Sequence, residues 1–265
     1  MSKIPIKCVI VAAGMSTRLR PKTESLPKCL LPIGNKTILE RTIKGLLDVR
    51  VRDIALVVGF EAEKIRAHLK ERFPGNKFHF ILNPNFASTN NAYSLLLARR
   101  FFLRSERQLN ASEFLLILDS DIVFHPGLLL RIIAHQGENK FAVRVQGDHD
   151  EEEVRVRTNN SGDIVKIGKD VSLKLSYGES IGVEMFDHRT GILLFDVLER
   201  RVRRGSGRSE YYEMAFQELI DQDTKIKAVD VGDLPVAEID SPADLDHAER
   251  AIVPRIDSIS HVRVQ

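Results

Sequence analysis

The sequence predicts an α/β fold with a mostly parallel central sheet, helices on both faces of that sheet and a small β-rich insertion. The first observation behind this prediction is that short apolar, β-branched runs alternate with longer amphipathic stretches through the first half of the chain. Strands that are apolar throughout and separated by helices are typical of parallel sheets buried on both faces. The second observation is that the pattern changes after Gly147 to strand-like segments around a polar turn, which indicates a β-hairpin.

The individual elements follow from these patterns. Strands are predicted at residues 6–11, 54–58, 78–82, 114–118 and 141–145, and then at 154–157, 164–167, 181–186 and 226–231. Helices are predicted at about residues 61–72, 90–102, 126–136, 190–203 and 210–221. Two further helices have clear starts, because Thr37 and Glu40 form a capping box and Ser241 before Pro242 is a typical N-cap.

Length and composition restrict the class of protein. The 265 residues are 43% hydrophobic and 29% charged, which excludes a disordered or collagen-like chain. We expect a single domain over residues 1–253, with its β-rich part at about 148–186 and a C-terminal tail at 254–265. The net charge of only +2 argues against a nucleic-acid-binding protein.

The sequence also bears on location. No apolar run approaches the roughly 20 residues that span a bilayer, and the first apolar run leads into a charged loop, so we expect neither an integral membrane segment nor a signal peptide. The two cysteines exclude a disulfide scaffold and a Cys-rich zinc site, and they favour a reducing, cytoplasmic location. A homo-oligomer is compatible with the sequence, which does not fix an oligomeric state.

The loop after the first predicted strand has the features of a phosphate-binding segment. It contains, in order, Ala12, Ala13, Gly14, Met15, Ser16, Thr17 and Arg18. Its small residues let a ligand lie against the backbone, whose N–H groups can hold phosphate oxygens with Arg18 as a forked partner. Lys28 follows Pro27 on a loop at the same end of the sheet. A solvated loop explains any one of these residues alone, but their combination favours phosphate binding.

The spacing within this loop excludes two familiar nucleotide motifs. Neither G-x-G-x-x-G nor G-x-x-x-x-G-K-[ST] occurs in it. A dinucleotide-binding fold and a Walker-type NTPase therefore both lose support.

A pair of carboxylates ends the fourth predicted strand. Asp119, Ser120 and Asp121 follow the apolar run at 114–118, at the sheet edge where Mg²⁺–nucleotide sites occur. Bringing two carboxylates together is costly unless a cation lies near them, so this pair predicts a magnesium site. Asp240, just before the helix that starts at Ser241, is a second candidate ligand, although helix capping explains it equally well.

These motifs resemble a known family. Residues 12–19, followed by Leu26, Pro27 and Lys28, are similar to the signature of the nucleotidyltransferases that make nucleotide-activated sugars and alcohols. The resemblance extends from Lys3 to about Ile252 and implies the Rossmann-like nucleotidyltransferase fold.

Within that family, two branches are similar to this chain. Residues 90–95, 178–182 and 211–213 resemble the bacterial phosphocholine cytidylyltransferases, and residues 164–170 resemble the inositol-phosphate cytidylyltransferases. The chain departs from the phosphocholine branch in having no tryptophan, a residue that commonly helps to enclose the choline ammonium.

The resemblance implies a role for each motif. The loop of residues 12–17, together with Ser120, would hold a nucleoside triphosphate whose phosphates are bound by Arg18 and Lys28. It favours Asp121 and Asp240 as the ligands of Mg²⁺. Lys169 would hold the phosphate of the acceptor, whereas without the resemblance it would be interpreted as a solvated hairpin lysine.

Two pockets are expected beside these groups. Asn83, Asn90 and Asn91 are candidates for base recognition because an amide offers both donors and an acceptor, and a helix N-cap is the other interpretation of Asn90. The candidates for the acceptor pocket are Glu179, Glu184, Tyr211, Tyr212 and Glu213. Aromatic and carboxylate groups suit an ammonium head or a hydroxyl-rich ring, while helix packing is the other interpretation of the two tyrosines.

The sequence therefore predicts a Mg²⁺-dependent cytidylyltransferase. It would transfer CMP from CTP to a small phosphomonoester, such as a phosphocholine-like amino-alcohol phosphate, or to a related phosphonate, and release pyrophosphate. A sugar-1-phosphate or inositol-1-phosphate nucleotidylyltransferase is the first alternative. A non-catalytic nucleotide-sensing subunit is the second, and the presence of Asp121 and Asp240 argues against it because a sensor need not keep a metal pair. The expected partners are CTP and the phosphorylated acceptor.

Overall fold

The computed structural model describes residues 5–103, 113–145 and 153–259. The strands of the described chain are β1 Ile6–Ala12, β2 Pro32–Ile33, β3 Lys36–Thr37, β4 Asp53–Val58, β5 His79–Leu82, β6 Phe114–Asp119, β7 Ile122–Phe124, β8 Lys140–Arg144, β9 Arg155–Thr158, β10 Ile164–Gly168, β11 Gly178–Asp187, β12 Lys227–Asp230 and β13 Val236–Glu238. The helices are α1 Ile38–Asp48, α2 Ala62–Arg72, α3 Asn91–Leu97, α4 Arg99–Leu103, α5 Gly127–Ala134, α6 His188–Arg203, α7 Glu213–Asp221, α8 Pro242–His247 and α9 Val253–Ile259.

The central sheet has the strand order β10-β9-β11-β6-β1-β4-β5, and β8 and β12 extend from β11. Strands β5, β4, β1 and β6 are parallel neighbours, which confirms the predicted α/β fold with a largely parallel sheet. Beyond β6 the sheet turns antiparallel, because β11 runs against β6, β8 and β9. Sequence pattern does not show this change, since β11 is buried on both faces like the parallel strands.

Helices cover both faces of the sheet because successive side chains of each strand point to opposite sides. In β1, Cys8 and Ile10 pack with α1, α2 and α5 on one face. Val9 and Val11 pack with α3, α4, α6 and α7 on the other. The site described below lies at the carboxyl edge of the parallel strands, where β1 and β6 end.

Several helix boundaries are determined by local capping. The predicted capping box at the start of α1 is present, since the Thr37 hydroxyl accepts from the Glu40 N–H and the Glu40 carboxylate accepts from the Thr37 N–H. Ser241 caps α8 in the same way with Asp244. The helix predicted at residues 90–102 is divided into α3 and α4 at Ala98.

The C-terminal elements form a third apolar cluster away from the main sheet. Leu245, Ile252 and Ile256 of this segment pack against Leu19, Leu31, Ile33, Val123 and Ile239. The predicted tail begins at residue 254, within helix α9. Asp257 of this helix forms an ion pair with Arg41 of α1 at 2.9 Å. Residues 148–152 of the predicted β-rich part, and residues 260–265 of the tail, lie outside the described residues. Within the described ranges, no helix is long and apolar enough to cross a membrane.

Candidate active site

A small two-stranded sheet brings the two predicted metal ligands together. Asp121 lies between β6 and β7, and β7 pairs antiparallel with β13. The pairing continues one step further, because the Ile239 N–H donates to the Asp121 carbonyl at 3.0 Å. Asp240 is the next residue after Ile239, so this pairing holds Asp240 beside Asp121, although 119 positions separate the two residues in the chain.

Lys28 forms ion pairs with both carboxylates. Its Nζ lies 2.8 Å from Asp121 Oδ2 and 2.6 Å from Asp240 Oδ1, and its side chain is only 8% exposed. Burial alone lowers the pKa of Lys28, but the charges and hydrogen bonds of Asp121 and Asp240 outweigh it, so the pKa is raised overall. Arg18, at the mouth of the site, adds an ion pair to Asp240 Oδ2 at 2.6 Å. Burial raises the pKa of Asp240, but these two cations hold it below its usual value.

The carboxylate cluster fits a hard divalent cation. Ligand oxygens of Asp121, Glu238 and Asp240 all lie within 4.8 Å of one another. Asp121 Oδ1 is buried and has no hydrogen-bond partner among the described residues, which leaves a lone pair available for a ligand. Glu238 was not predicted from the sequence. The available signal was its position two residues before Asp240 in a strand, which puts both side chains on one face.

The loop that follows β1 lines the same cavity. Its lining members are Ala12, Ala13, Gly14, Ser16 and Arg18, together with Ser120 at the end of β6. A side chain at Gly14 would meet no atom within 4 Å, so the backbone there faces open space in which a ligand has room to lie. Ser16 has a left-handed φ of 47°, and its carbonyl accepts a hydrogen bond from Thr23 Oγ1 at 2.7 Å. Met15 and Thr17 belong to the loop but do not line the cavity.

A second wall of the cavity comes from the segment that leads into α3 and from the first turn of that helix. Phe86, Thr89, Asn90, Asn91 and Ser94 line it. Asn90 caps α3, since its side chain accepts from the Asn91 N–H at 2.8 Å, and it also lines the cavity. Asn83 lies beneath this wall and is fully buried. Its side-chain nitrogen donates to Thr89 Oγ1 at 3.1 Å and to Ser94 Oγ at 3.0 Å, so Asn83 fixes the wall from behind.

The third wall includes a lysine, an aromatic ring and a buried carboxylate. Lys169 Nζ lies 6.0 Å from the centroid of the Tyr211 ring, and Glu213 follows at the start of α7. Burial, the largest effect, raises the pKa of Glu213 to about 7, although a backbone hydrogen bond and the charge of Lys169 lower it. Glu213 Oε2 is buried and lacks a hydrogen-bond partner in the described part of the chain. This wall therefore presents a cation and a carboxylate side by side.

The three walls enclose a cavity of about 270 Å³ at the carboxyl edge of the sheet. Comparison with known families shows to which family the chain belongs. The family model described as the MobA-like NTP transferase domain matches residues 8–174, well over half of the chain. The chain belongs to this nucleotidyltransferase family. The matched region holds Arg18, Lys28, Asp121 and Lys169, whereas Glu213, Glu238 and Asp240 lie beyond it.

Individual relatives of this nucleotidyltransferase match along nearly its whole length. CMP-5'-(3-aminopropyl)phosphonate synthase of Streptomyces rubellomurinus is 27% identical over 267 residues, which cover 95% of this chain but only 39% of that protein. CTP:phosphoglutamine cytidylyltransferase of Campylobacter jejuni is 26% identical over 263 residues, which cover 91% of this chain and 98% of that one. The structure of CTP:phosphocholine cytidylyltransferase from Streptococcus pneumoniae shares the fold, with a TM-score of 0.72 at 22% identity over 93% of this chain and 98% of that one.

Three predicted acceptor residues of the nucleotidyltransferase lie behind the cavity wall rather than in it. Tyr212 is fully buried, and its hydroxyl donates to Asp119 Oδ2 at 2.7 Å. Glu179 forms an ion pair with Arg144 at 2.6 Å. Glu184 accepts a 3.5 Å hydrogen bond from Ser180 Oγ. Because these side chains do not line the cavity, they can act on a ligand only through their neighbours.

Asp119 connects the buried Tyr212 to the site. It lines the cavity, while Gly182 lies so close behind it that a Cβ there would be 2.6 Å from Asp119 Oδ2. Gly182 also has a φ of +69°, a conformation that favours glycine. Burial, followed by the charges of Asp121 and Glu213, raises the pKa of Asp119 well above its usual value.

Proposed function

We propose that this nucleotidyltransferase is a cytidylyltransferase that transfers CMP from CTP to a small phosphate or phosphonate bearing a cationic amino group. The names of two relatives that match more than nine-tenths of this chain support this choice, since one contains CMP and an aminopropylphosphonate and the other CTP and a phosphoglutamine. The observation that carries the proposal is that one cavity joins the Lys28–carboxylate cluster to the Lys169–Glu213 pair. The first group suits a triphosphate with its cation, and the second suits an acceptor that carries both signs of charge.

The reaction requires positioning and charge neutralisation more than proton transfer. An oxygen of the acceptor phosphate attacks the α-phosphorus of CTP and forms a new P–O bond, while the bond from that phosphorus to the bridging oxygen of the β-phosphate breaks. Pyrophosphate leaves with the electron pair of that bond. The acceptor phosphate is already anionic at neutral pH, so no general base is needed. Negative charge accumulates around the transferred group, and preorganised cations that face it lower the barrier.

Lys28 and Arg18 are the cations on the triphosphate side. Both can reach phosphate oxygens from the cavity wall that they share with the residue 12–16 loop. Arg18 offers a planar fork that matches a phosphate, and Lys28 offers a point charge on a buried, well-ordered stem. The backbone N–H groups of the loop would add neutral donors to the same phosphates.

Asp121 and Asp240 would hold Mg²⁺, with Glu238 close enough to complete the set. Oxygen ligands are the ones that Mg²⁺ prefers, and it usually takes one or two protein carboxylates together with phosphates and water. When bound, the ion would stabilise charge on the phosphoryl oxygens as a Lewis acid.

The acceptor would bind along the third wall. Lys169 would hold its phosphate, and Glu213 would pair with its ammonium group. Tyr211 is 53% exposed, so one face of its ring is accessible to a cation in the cavity. A full aromatic cage is not built by these residues, which favours a small amino-alkyl head that a carboxylate can neutralise. Asn90 and Asn91 are candidates for contacts with the base. Asn83 would contribute only indirectly, through its hydrogen bonds to Thr89 and Ser94 in the second wall of the cavity.

Pyrophosphate release over a matrix of triphosphates and acceptors tests the proposal. CTP, UTP, dTTP and GTP would each be combined with phosphocholine, phosphoethanolamine, 3-aminopropylphosphonate, inositol-1-phosphate and glucose-1-phosphate. We expect turnover with CTP and at least one amino-bearing acceptor, and none in the Asp121→Asn variant, which controls for contaminating enzymes. Turnover confined to inositol or sugar phosphates would refute the acceptor class. CTP binding without turnover on any acceptor would instead support a nucleotide sensor.

The cytoplasm is the location that we propose for this reaction. Both cysteines are free and buried, which is compatible with a reducing compartment.

A further inference from the structure

An arginine in β9 contacts the backbone that carries Lys169. Arg155 is only 4% exposed. Its Nε donates to the Val171 carbonyl at 2.6 Å, and one terminal nitrogen donates to the Lys169 carbonyl at 2.7 Å. Burying a guanidinium is costly unless its donors are satisfied, so these charge-assisted hydrogen bonds stabilise one conformation of both partners.

The segment that Arg155 holds is a tight turn after β10. The strand ends at Gly168, whose φ of +147° is rarely adopted by other residues. The Val171 N–H then donates back to the Gly168 carbonyl at 3.3 Å, which closes the turn. Lys169 is inside this turn, so the direction of its side chain depends on how the turn is fixed.

The strand register places Arg155 where it can fix the turn from one side. Arg155 is the antiparallel partner of Gly168 in β10 and of Glu179 in β11. Val171 is buried at 4% exposure and anchors the far end of the turn. The guanidinium thus joins the start and the end of the turn by one planar group, which a lysine ammonium cannot do with the same geometry.

We propose that Arg155 is a positioning residue for the acceptor half of the reaction. It holds the 168–171 turn so that Lys169 Nζ points into the cavity beside Tyr211 and Glu213. This inference rests on the proposed function, in which Lys169 binds the acceptor phosphate. Arg155 itself does not line the cavity, so its effect is transmitted entirely through Lys169.

A double-mutant cycle tests this transmission. Arg155→Lys keeps the charge but loses the fork, and Lys169→Ala removes the group that it positions. Both variants and the double variant would be assayed with CTP and phosphocholine or 3-aminopropylphosphonate, whichever turns over faster. We expect Arg155→Lys to lower kcat/KM for the acceptor about tenfold while the KM for CTP changes less than about twofold. In the Lys169→Ala background the same change should have no further effect, because coupled residues are not additive.

Arg157→Lys is the matched control, since Arg157 lies two positions along the same strand and is exposed. It should leave all kinetic constants unchanged. A direct measurement of CTP binding and a melting temperature accompany each variant, because a purely structural role would reduce CTP binding and acceptor turnover together.

The outcomes separate this inference from the proposed function. If Lys169→Ala lowers acceptor kcat/KM but Arg155→Lys is additive with it, or weakens CTP binding equally, Arg155 is not a positioning residue. If Lys169→Ala leaves acceptor kinetics unchanged, or if no amino-bearing acceptor turns over, the proposed function fails and the inference fails with it.

Discussion

Replacing Lys28 with methionine should show how strongly its charge stabilises the two carboxylates beside it. The Lys28 ammonium pairs with two carboxylates that are 23% and 33% exposed. Lys28→Met keeps the length of the buried stem and removes the charge. Asp121 and Asp240 then face each other without their main counter-ion, while Arg18 still pairs with Asp240 at 2.6 Å.

The size of the effect follows from the burial of the group. Breaking a buried ion pair costs about 3–5 kcal/mol, but partial solvent exposure of both carboxylates reduces that value. We expect the free energy of unfolding to fall by about 2–3 kcal/mol, which for a domain near this size corresponds to roughly 5–10 °C in Tm. Because the freed carboxylates suit a divalent cation, millimolar Mg²⁺ should restore much of this loss.

Urea unfolding with and without Mg²⁺ measures both effects. Without nucleotide, the wild-type protein should gain little from Mg²⁺, since the Lys28 ammonium already pairs with both carboxylates, whereas Lys28→Met should gain at least about 1 kcal/mol. Mn²⁺ titrations followed by electron paramagnetic resonance should show tighter metal binding by the variant. Lys22→Met, at an exposed position on the neighbouring loop, is the control. An equal response of wild type and Lys28→Met to Mg²⁺ would refute this description of the cluster.

Three further predictions concern the chemistry around the cavity. Asp121→Asn should lower turnover at least about 10²-fold with the melting temperature nearly unchanged, and near-normal turnover at saturating Mg²⁺ would contradict the metal assignment. The KM for an amino-bearing acceptor should fall as pH rises through about 7, the pKa of Glu213, because the carboxylate becomes charged there. Glu213→Gln should weaken acceptor binding and abolish the part of the pH dependence that comes from Glu213, so that only the titration of the acceptor phosphate remains. Tyr212→Phe should destabilise the protein by about 1–2 kcal/mol, because it leaves Asp119 without the hydroxyl donor, and an unchanged urea midpoint would contradict that role.

The sequence determined the fold class and the edge of the sheet at which the candidate site lies. Apolar runs separated by helices required a buried parallel sheet, and the ends of its strands converge on one edge. Residues that immediately follow β1 and β6 therefore had to lie close together, and the structure brings Arg18, Lys28 and Asp121 to one cavity. Local capping signals were equally informative, since Thr37 and Ser241 depend only on residues three positions away.

Only the tertiary structure decided which carboxylates face the cavity. Glu179 and Ser180 are adjacent in β11, yet only Ser180 lines the cavity, because successive side chains of a strand point in opposite directions. Glu184 has the same parity as Ser180, but it lies four residues further along β11, opposite Ile117 of β6, and is therefore deeper in the sheet. The pairing of β7 with β13 brings Glu238 to the carboxylates of Asp121 and Asp240. Such pairings join segments more than a hundred residues apart, and their energy comes from packing between those segments, so no local pattern in the chain reveals them.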